Sequence, residues 1–318
     1  MNSWQITAPM QIGKYYTTEN LEKIDEVKVK ITKCFISSKD VSIFSGAYKT
    51  DYPVIPGHIA VGQVVETLKE SDYLRKGSKV YLAPIEEEGY HEGYLRDFAV
   101  VPQSSLRVLP KTVSESDALY LTHLSLALTT IDKLNIDKGE HVAILGANVL
   151  GNIIAQLIMY YQGVPIVIDD NEEYLDIAHK TNVYYTLKND KNIEREIISI
   201  TGGRKCSKVI YITGSDINID IIDKLTCHGA HVGITGIAVT KTKLTANIAF
   251  EKELNVTFIK NGTSNLETGI NLIAQKVIDL SYFKLPSYKF EYANKHFENA
   301  VEKIKGGAKL AEFLIDLM

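Results

Sequence analysis

Two patterns of apolar residues divide the chain into regions with different predicted structures. Between residue 4 and about residue 110, apolar and polar residues alternate at 27–31, and the short runs 62–66, 79–82 and 98–101 look like further strands separated by turns. A period of two is typical of half-buried strands, so this region predicts a compact β-barrel-like domain. From about residue 114, continuous apolar runs alternate with helical patterns, which predicts a parallel, doubly wound sheet.

The end of the chain predicts a return to the first region. Residues 265–276 and 296–305 have helical patterns, and residues 311–317 form a strand-like apolar run. We therefore expect one domain to contain residues 1–118 and 264–318. A second domain, residues 119–263, is then inserted in it.

The most informative local motif lies in residues 141–170. An apolar run, 142–145, is followed by Gly146 and Gly151, a helical pattern, a second apolar run and two acids, Asp169 and Asp170. Strand, glycine turn, helix, strand and terminal acid is the layout that binds a dinucleotide. The turn and the helix N-terminus bind the pyrophosphate through backbone N–H groups, and the acid accepts hydrogen bonds from ribose hydroxyls.

One residue of this motif departs from the usual glycine spacing. Asn148 occupies the place of the second glycine, which usually lets the backbone approach the pyrophosphate. Asn tolerates a positive φ better than other non-glycine residues, but it still carries a Cβ. The glycines alone are equally compatible with an ordinary strand–turn–helix, and the acid 18 residues after Gly151 favours the cofactor.

Composition excludes several classes of protein. The net charge is −4, which gives no basic surface for nucleic acid. The chain has no signal pattern and no apolar run long enough to span a membrane, so we expect a cytoplasmic protein. Its three cysteines, Cys34, Cys206 and Cys227, are widely spaced and predict reduced thiols.

Several segments, in their order and spacing, resemble the medium-chain dehydrogenase/reductase family of zinc alcohol and polyol dehydrogenases. The matching segments are PGHIAVGQVV at 56–65, LRKGSKV at 74–80, GYLRDFAVVP at 93–102, EKELNV at 251–256 and AVEKIKGG at 300–307. The resemblance implies an α/β protein with a GroES-like β-barrel domain and an inserted Rossmann domain. It also implies an oxidoreductase that forms homodimers or homotetramers through the last Rossmann strand, near 256–259.

The chain departs from the family at the positions of the catalytic zinc ligands. In the alignment, Ser37 replaces the cysteine and Ser42 the usual histidine of the first segment. Ile59 replaces the acid of the GHE segment, and the last acid falls near Thr122. Only His58 is retained, and the four-cysteine lobe is replaced by the acidic loop 84–92. Zinc needs three or four deprotonated ligands, so we predict no metal.

Without a metal, a side chain must exchange the proton of the substrate oxygen. Lys39 takes the place of the family's proton-relay hydroxyl, and burial would lower its pKa into a useful range. Equally, it could be a surface lysine or pair with Asp40. His58 could act as an acid or base, or simply pack with a hydrogen bond to Asp40. His123, Tyr48 and Tyr52 are weaker candidates.

The cofactor-binding prediction is NAD(H). Asp169 aligns with the family's NAD-selecting acid, Asp170 adds a second negative charge, and residues 171–174 contain no arginine for a 2′-phosphate. Further candidates follow later strands, at the edge where the nicotinamide would lie. The predicted cofactor-binding residues are Gly146, Asn148, Val149, Leu150, Gly151, Asp169, Asp170, Thr213, Gly214 and Gly236.

These features predict a zinc-independent, NAD(H)-linked enzyme that interconverts a ketone or aldehyde with its alcohol. A small molecule such as a polyol or sugar derivative is the expected substrate. The candidate catalytic residues are Lys39, Asp40 and His58. Two alternatives stay open: reduction of a polarised C=C or C=N bond, and a catalytically degenerate protein that only binds nucleotide.

Overall fold

The computed structural model describes residues 1–18, 20–69, 73–84, 92–213, 217–236, 244–260, 263–306 and 311–317. They form two compact units, Met1–Tyr120 with Lys284–Met318, and Leu121–Phe283. The sequence prediction had assigned residues 264–283 to the first domain. In the structure they belong to the second unit, because the helix that begins at Leu266 packs against the helix that begins at Leu121.

The strands and α-helices of the described residues are numbered in chain order. The strands are β1 (Asn2–Ala8), β2 (Gln11–Tyr16), β3 (Glu26–Ile36), β4 (Ile59–Thr67), β5 (Lys79–Leu82), β6 (Phe98–Pro102), β7 (Leu106–Val108), β8 (His141–Leu145), β9 (Val164–Asp169), β10 (Tyr185–Lys188), β11 (Cys206–Ile212), β12 (Thr226–Thr235), β13 (Asn255–Ile259), β14 (Ser287–Lys289) and β15 (Phe313–Asp316). The helices are α1 (Ser38–Ser45), α2 (Glu115–Ala118), α3 (Leu121–Leu134), α4 (Val149–Tyr160), α5 (Glu172–Lys180), α6 (Ile193–Ile200), α7 (Ile222–Leu225), α8 (Ala246–Glu251), α9 (Leu266–Ala274) and α10 (Ala293–Lys305).

The first unit is built around a mainly antiparallel sheet. Its strand order is β14-β15-β3-β4-β5-β7, and β6 also pairs with β3. The alternation along β3 has the predicted cause, because Val27, Val29 and Ile31 are fully buried while the lysines between them are not. The strand β15 pairs antiparallel with β3, with Phe313 opposite Ile36. The predicted return of the chain end to the first region is therefore confirmed.

The second unit contains a six-stranded sheet in the order β10-β9-β8-β11-β12-β13, and all its neighbouring strands are parallel. The order runs outward in both directions from the β8/β11 pair, as in doubly wound dinucleotide-binding folds. Their near-continuous apolar sequences follow from burial on both faces. The predicted α/β class with a doubly wound sheet is confirmed.

Some elements differ from the sequence prediction. The β1–β2 hairpin, the helix α1 and the short strand β10 lack a clear apolar period and were not predicted. The helix predicted at 216–225 is shorter in the structure, because Asn218 caps a single 3-10 turn and α7 begins only after it. Residue 216 lies outside the described ranges. In the described ranges, no helix combines the length and apolar character needed to cross a membrane.

Candidate active site residues

The glycine turn at the carboxyl end of β8 brings two backbone segments into contact. Gly146 has a φ of +113°, a left-handed conformation that favours glycine. A Cβ on Gly151 would lie 1.9 Å from the carbonyl oxygen of Gly146. The first turn of α4 therefore packs directly on the turn, an arrangement that only glycine at position 151 permits.

The sequence motif drew attention to Asn148 for its tolerance of a positive φ, but in the structure this residue caps a helix. Its φ of −61° is ordinary for any residue, and its side chain caps α4 by accepting the N–H of Gly151 at 3.2 Å. Val149 and Leu150 form the first turn of the helix, which contains no acidic side chain. The partial positive charge of the helix N-terminus is thus available for an anion beside the turn.

The two acids after β9 lie in different environments. Asp169 is buried, and its carboxylate accepts the N–H of Ala147 at 2.6 Å and the N–H of Asn171 at 2.8 Å. Asp170 is exposed and accepts a hydrogen bond from the Asn189 side chain at 3.2 Å. Asp169 therefore holds the glycine turn in place, while Asp170 contributes charge at the surface.

The ends of β11 and β12 meet at the same edge of the sheet. The N–H of Thr213 donates to the carbonyl of Thr235 at 2.7 Å. A Cβ on Gly236 would lie 1.9 Å from Oγ1 of Thr213, so the two segments are in close contact. The predicted site residue Gly214 lies outside the described residues.

In the first unit, three of the residues singled out in the sequence lie together: Ser37, Asp40 and His58. The buried carboxylate of Asp40 is the centre of this group. Asp40 accepts hydrogen bonds from the N–H of Ser37 at 2.8 Å, the hydroxyl of Ser37 at 2.6 Å and the N–H of Gly57 at 2.9 Å. Nδ1 of His58 lies 3.5 Å from Oδ2 of Asp40. Ser37 also caps α1, so one carboxylate links the start of that helix to the segment before β4.

Asp40 is ionised despite its burial. Burial raises the pKa of Asp40, but the hydrogen bond and charge of His58, with the donors of Ser37 and Gly57, more than offset this and lower the pKa overall. The ring of Phe35 packs edge-on against the His58 imidazole, with centroids 6.5 Å apart. His58 is thus held by a carboxylate at Nδ1 and an aromatic ring at its side.

The other sequence candidates have contacts or environments of their own. Lys39 is exposed, and its ammonium lies 5.1 Å from the ring centre of Tyr48. The burial that the catalytic hypothesis for Lys39 invoked is therefore not found. The hydroxyl of Tyr52 donates to the carbonyl of Ile43 at 2.9 Å, and His123 is buried on α3 of the second unit.

Glu312 is a member of the first-unit cluster that the sequence interpretation missed. It precedes Phe313, which pairs with Ile36, so it lies beside the start of α1. It is half-buried, and burial raises its pKa to about 7, although the charge of His58 and the Ser38 backbone and hydroxyl act to lower it. The available signal was a carboxylate at each of two positions, Glu312 and Asp316, within the otherwise apolar run 311–317.

The side chains at the other zinc-ligand positions of the alignment have contacts of their own. The Ser37 hydroxyl donates to Asp40, the Ser42 hydroxyl donates to the carbonyl of Ser38, and Ile59 is a buried apolar residue of β4. Within the described ranges, no three His, Cys, Asp or Glu side chains are grouped as metal ligands. The acidic loop residues 85–91 lie outside those ranges.

Comparison with known proteins identifies similar dehydrogenases. The alcohol dehydrogenase GroES-like domain matches residues 23–111. A zinc-type alcohol dehydrogenase-like protein of Haemophilus influenzae is 25% identical over 295 residues, 85% of this chain and 86% of that protein. The D-xylulose reductase of Morganella morganii is 21% identical over 309 residues, 88% of this chain and 91% of that protein.

Solved structures share the fold over the whole chain. A short chain alcohol dehydrogenase from E. coli, complexed with NADH, has a TM-score of 0.82 at 18% identity and covers 100% of this chain and 99% of its own. A dehydrogenase from Sinorhizobium meliloti bound to NADP has a TM-score of 0.84 at 18% identity, with 99% of both chains covered. These similarities support the medium-chain dehydrogenase/reductase family, and the predictions of the fold class and of an oxidoreductase are confirmed.

Proposed function

We propose that the protein is a zinc-independent, NAD(H)-linked oxidoreductase that interconverts a ketone or aldehyde with its alcohol. The observation that carries the proposal is the glycine turn of the second unit. Gly146, Gly151 and the capped N-terminus of α4 form a backbone cradle for a pyrophosphate at the carboxyl edge of a parallel sheet. The relatives that are polyol or alcohol dehydrogenases support a polyol or sugar derivative as substrate.

The residues of the second unit would bind and orient the dinucleotide. The turn at Gly146 and the amides of Val149 and Leu150 would receive the pyrophosphate. Asp170, exposed beside the buried Asp169, would repel a 2′-phosphate, which supports NAD(H) over NADP(H). When bound, the nicotinamide supplies or accepts a hydride.

The residues of the first unit would exchange the proton. Asp40 fixes Nδ1 of His58, so Nε2 is the ring nitrogen that would give a proton to the substrate oxygen in reduction and take it in oxidation. Zinc independence is supported by the hydroxyl and apolar residues at Ser37, Ser42 and Ile59. Lys39 is retained as the competing proton donor, although its exposure weighs against it.

Two further proposals concern assembly and location. We propose a homodimer or homotetramer that pairs through β13, the edge strand of the parallel sheet, where Phe258 is 73% exposed. The cytoplasm is proposed because all three cysteines are free thiols. Light scattering of the purified protein tests the assembly, and a monomeric mass at micromolar concentration would contradict it.

The function is tested by combining cofactor binding, metal analysis and a substrate panel. We expect NADH to bind at least about tenfold more tightly than NADPH, because the exposed carboxylate of Asp170 would repel a 2′-phosphate on the bound ribose. We also expect NADH-dependent reduction of members of a ketose and aldehyde panel, at a rate that a chelator does not change. Stoichiometric zinc would contradict the metal-free mechanism. Turnover of enals or imines alone would support the C=C or C=N reductase instead. NADH binding without turnover of any of these substrates would support the degenerate protein.

A further inference from the structure

A cleft on the first unit is lined by residues that belong to neither group of candidate site residues. Its volume is about 480 Å³, within the range of roughly 300–1,000 Å³ of small-molecule sites. Its lining comes from β2, β3, β4 and β6, together with residues 1 and 97. The proposed reaction gives this cleft no task, although its walls carry charges and aromatic rings.

The wall formed by the β1–β2 hairpin is held in place at its open end. Asn2 of β1 pairs with Tyr16 of β2. The backbone N–H and the side-chain amide of Asn2 each donate to the Asp97 carboxylate at 2.9 Å, and the N–H of Asp97 donates to the Asn2 carbonyl at 2.9 Å. The hairpin end that carries Tyr16 is therefore tied to the start of β6, and Tyr16 and Phe98 both line the cleft.

The cleft contains two opposite charges that do not pair with each other. Lys28 of β3 lies directly opposite Glu66 of β4 in an antiparallel pair, a position at which opposite charges commonly attract each other. Among the described residues, however, neither side chain forms an ion pair. The Lys28 ammonium lies instead 5.8 Å from the ring centre of Phe98.

A β-bulge beside this pair accounts for the separation of the charges. Lys28 is opposite Glu66 and Val29 is opposite Val64, so Val65 has no residue opposite it. A bulge bends its strand and changes the direction of nearby side chains. Val65 itself is half-buried and lines the cleft. The strand geometry thus leaves a cation, a carboxylate and apolar surface around one space.

We propose that this cleft binds a free α-amino acid with an aromatic or large apolar side chain. The ligand carboxylate would pair with the Lys28 ammonium, and the ligand ammonium would pair with the Glu66 carboxylate. The ligand side chain would pack on the rings of Phe98 and Tyr16. This site is independent of the proposed oxidoreductase reaction.

The charges of the cleft favour a zwitterion over a simple anion or cation. A carboxylate alone would pair with Lys28 but would lie near Glu66 without compensation, and an amine alone would lie near the uncompensated Lys28. Both oxygens of Asp97 already accept hydrogen bonds from Asn2, so Glu66 is the carboxylate left for an ammonium group.

Ligand-observed NMR titration of the full chain with L-phenylalanine tests the proposal. Because Met1 lines the cleft, the protein should carry no N-terminal tag. We expect saturable binding with a Kd on the order of 1 mM, as for a small ligand held by two charges and ring contacts. The analogues 3-phenylpropionate, which lacks the amine, and phenethylamine, which lacks the carboxylate, should each bind at least about threefold more weakly.

Two variants assign each end of the ligand to its partner. In Lys28→Gln, the preference for phenylalanine over phenethylamine should disappear, while the preference over 3-phenylpropionate remains. In Glu66→Gln, the opposite pattern is expected. General damage to the fold would weaken all three ligands together and would not exchange these preferences. Lys30→Gln is the matched control, because Lys30 is exposed two positions further along β3 and does not line the cleft, so all affinities should be retained.

The outcomes that overturn the proposal are separate from catalysis. One is the lack of saturable phenylalanine binding at about ten times the expected Kd. Another is an affinity for either analogue equal to that for phenylalanine in wild type. The third is a Lys28→Gln or Glu66→Gln protein with the wild-type order of affinities. None of these measurements involves NADH or carbonyl turnover, so each leaves the proposed function as it stands.

Discussion

The carboxylate of Asp169 accepts the backbone N–H of Ala147 at 2.6 Å, and this bond ties the end of β9 to the glycine turn after β8. Its second oxygen accepts the N–H of Asn171 at 2.8 Å. Because Asp169 is only 4% exposed, water competes little for either bond. The acid at the end of the second Rossmann strand therefore shapes the turn before any ribose is bound.

Replacing Asp169 by Asn should weaken both the fold and cofactor binding. The new amide group would point a donor at one of the two N–H groups, so one buried hydrogen bond is lost and a donor is left unsatisfied. We expect the free energy of unfolding to fall by about 2 kcal/mol, with NADH affinity reduced at least about tenfold. Urea unfolding and NADH fluorescence titration measure the two effects.

Asp170→Asn is the matched control for that substitution, because the side chain is exposed. Its unfolding free energy should stay within about 0.5 kcal/mol of wild type. Equal stabilities for the two variants would show that the Asp169 bonds do not support the turn.

Gly151→Ala should disrupt the glycine turn through a direct clash. Its Cβ would lie 1.9 Å from the Gly146 carbonyl oxygen, so α4 must move away from the turn. We expect a loss of about 1–3 kcal/mol of stability and of most NADH binding. Gly13→Ala is the control, since its nearest neighbour is the flexible Tyr15 side chain at 3.4 Å. Wild-type NADH affinity in Gly151→Ala would remove this turn from the binding site.

The parts of the fold that the sequence predicted are those with a local pattern. The continuous apolar run of β8 and the capped helix α5 are specified by neighbouring residues, and both were found. The environment of Asp40 depends on Gly57, which is 17 positions away. The environment of Glu312 depends on the pairing of β15 with β3, a strand near the opposite end of the chain. Such partners follow from tertiary pairing, and apolar periodicity carries no information about them.

Replacing Asp40 by Asn should show how much its ionised form contributes to folding. Three donors converge on the carboxylate, and an amide cannot accept all of them. We expect about 2–4 kcal/mol lower stability at neutral pH. The folded pKa of Asp40 is lowered, so this contribution is present above its unfolded pKa of about 3.9 and is lost as pH falls through the folded value. The difference between wild type and variant should therefore shrink in acid, and a constant difference from neutral to acid pH would contradict the assignment.

Lys39→Ala should retain turnover, because the ammonium is exposed and contacts the face of Tyr48. Loss of that cation–π contact costs about 0.5 kcal/mol of stability at an exposed site, and kcat should remain within about twofold of wild type. Steady-state kinetics at several pH values measure this. A decrease of tenfold or more, with NADH binding unchanged, would restore Lys39 as the proton donor.

Glu312→Gln should make stability depend less on pH. The folded pKa of Glu312 is raised from 4.5 to about 7, so the folded state holds a proton that the unfolded state has lost between these values. Wild-type stability must therefore fall as pH rises from about 5 to 7 and then level off, because the buried group is forced to ionise. The variant has no such penalty. Relative to wild type, its free energy of unfolding should gain about 2 kcal/mol between pH 5 and pH 8, a figure reduced for the partial exposure of the side chain.

Denaturant unfolding at these pH values measures the gain, and Glu302→Gln, which is exposed, should show none. A gain that is the same at pH 5 and pH 8 would mean that Glu312 ionises at its ordinary pKa.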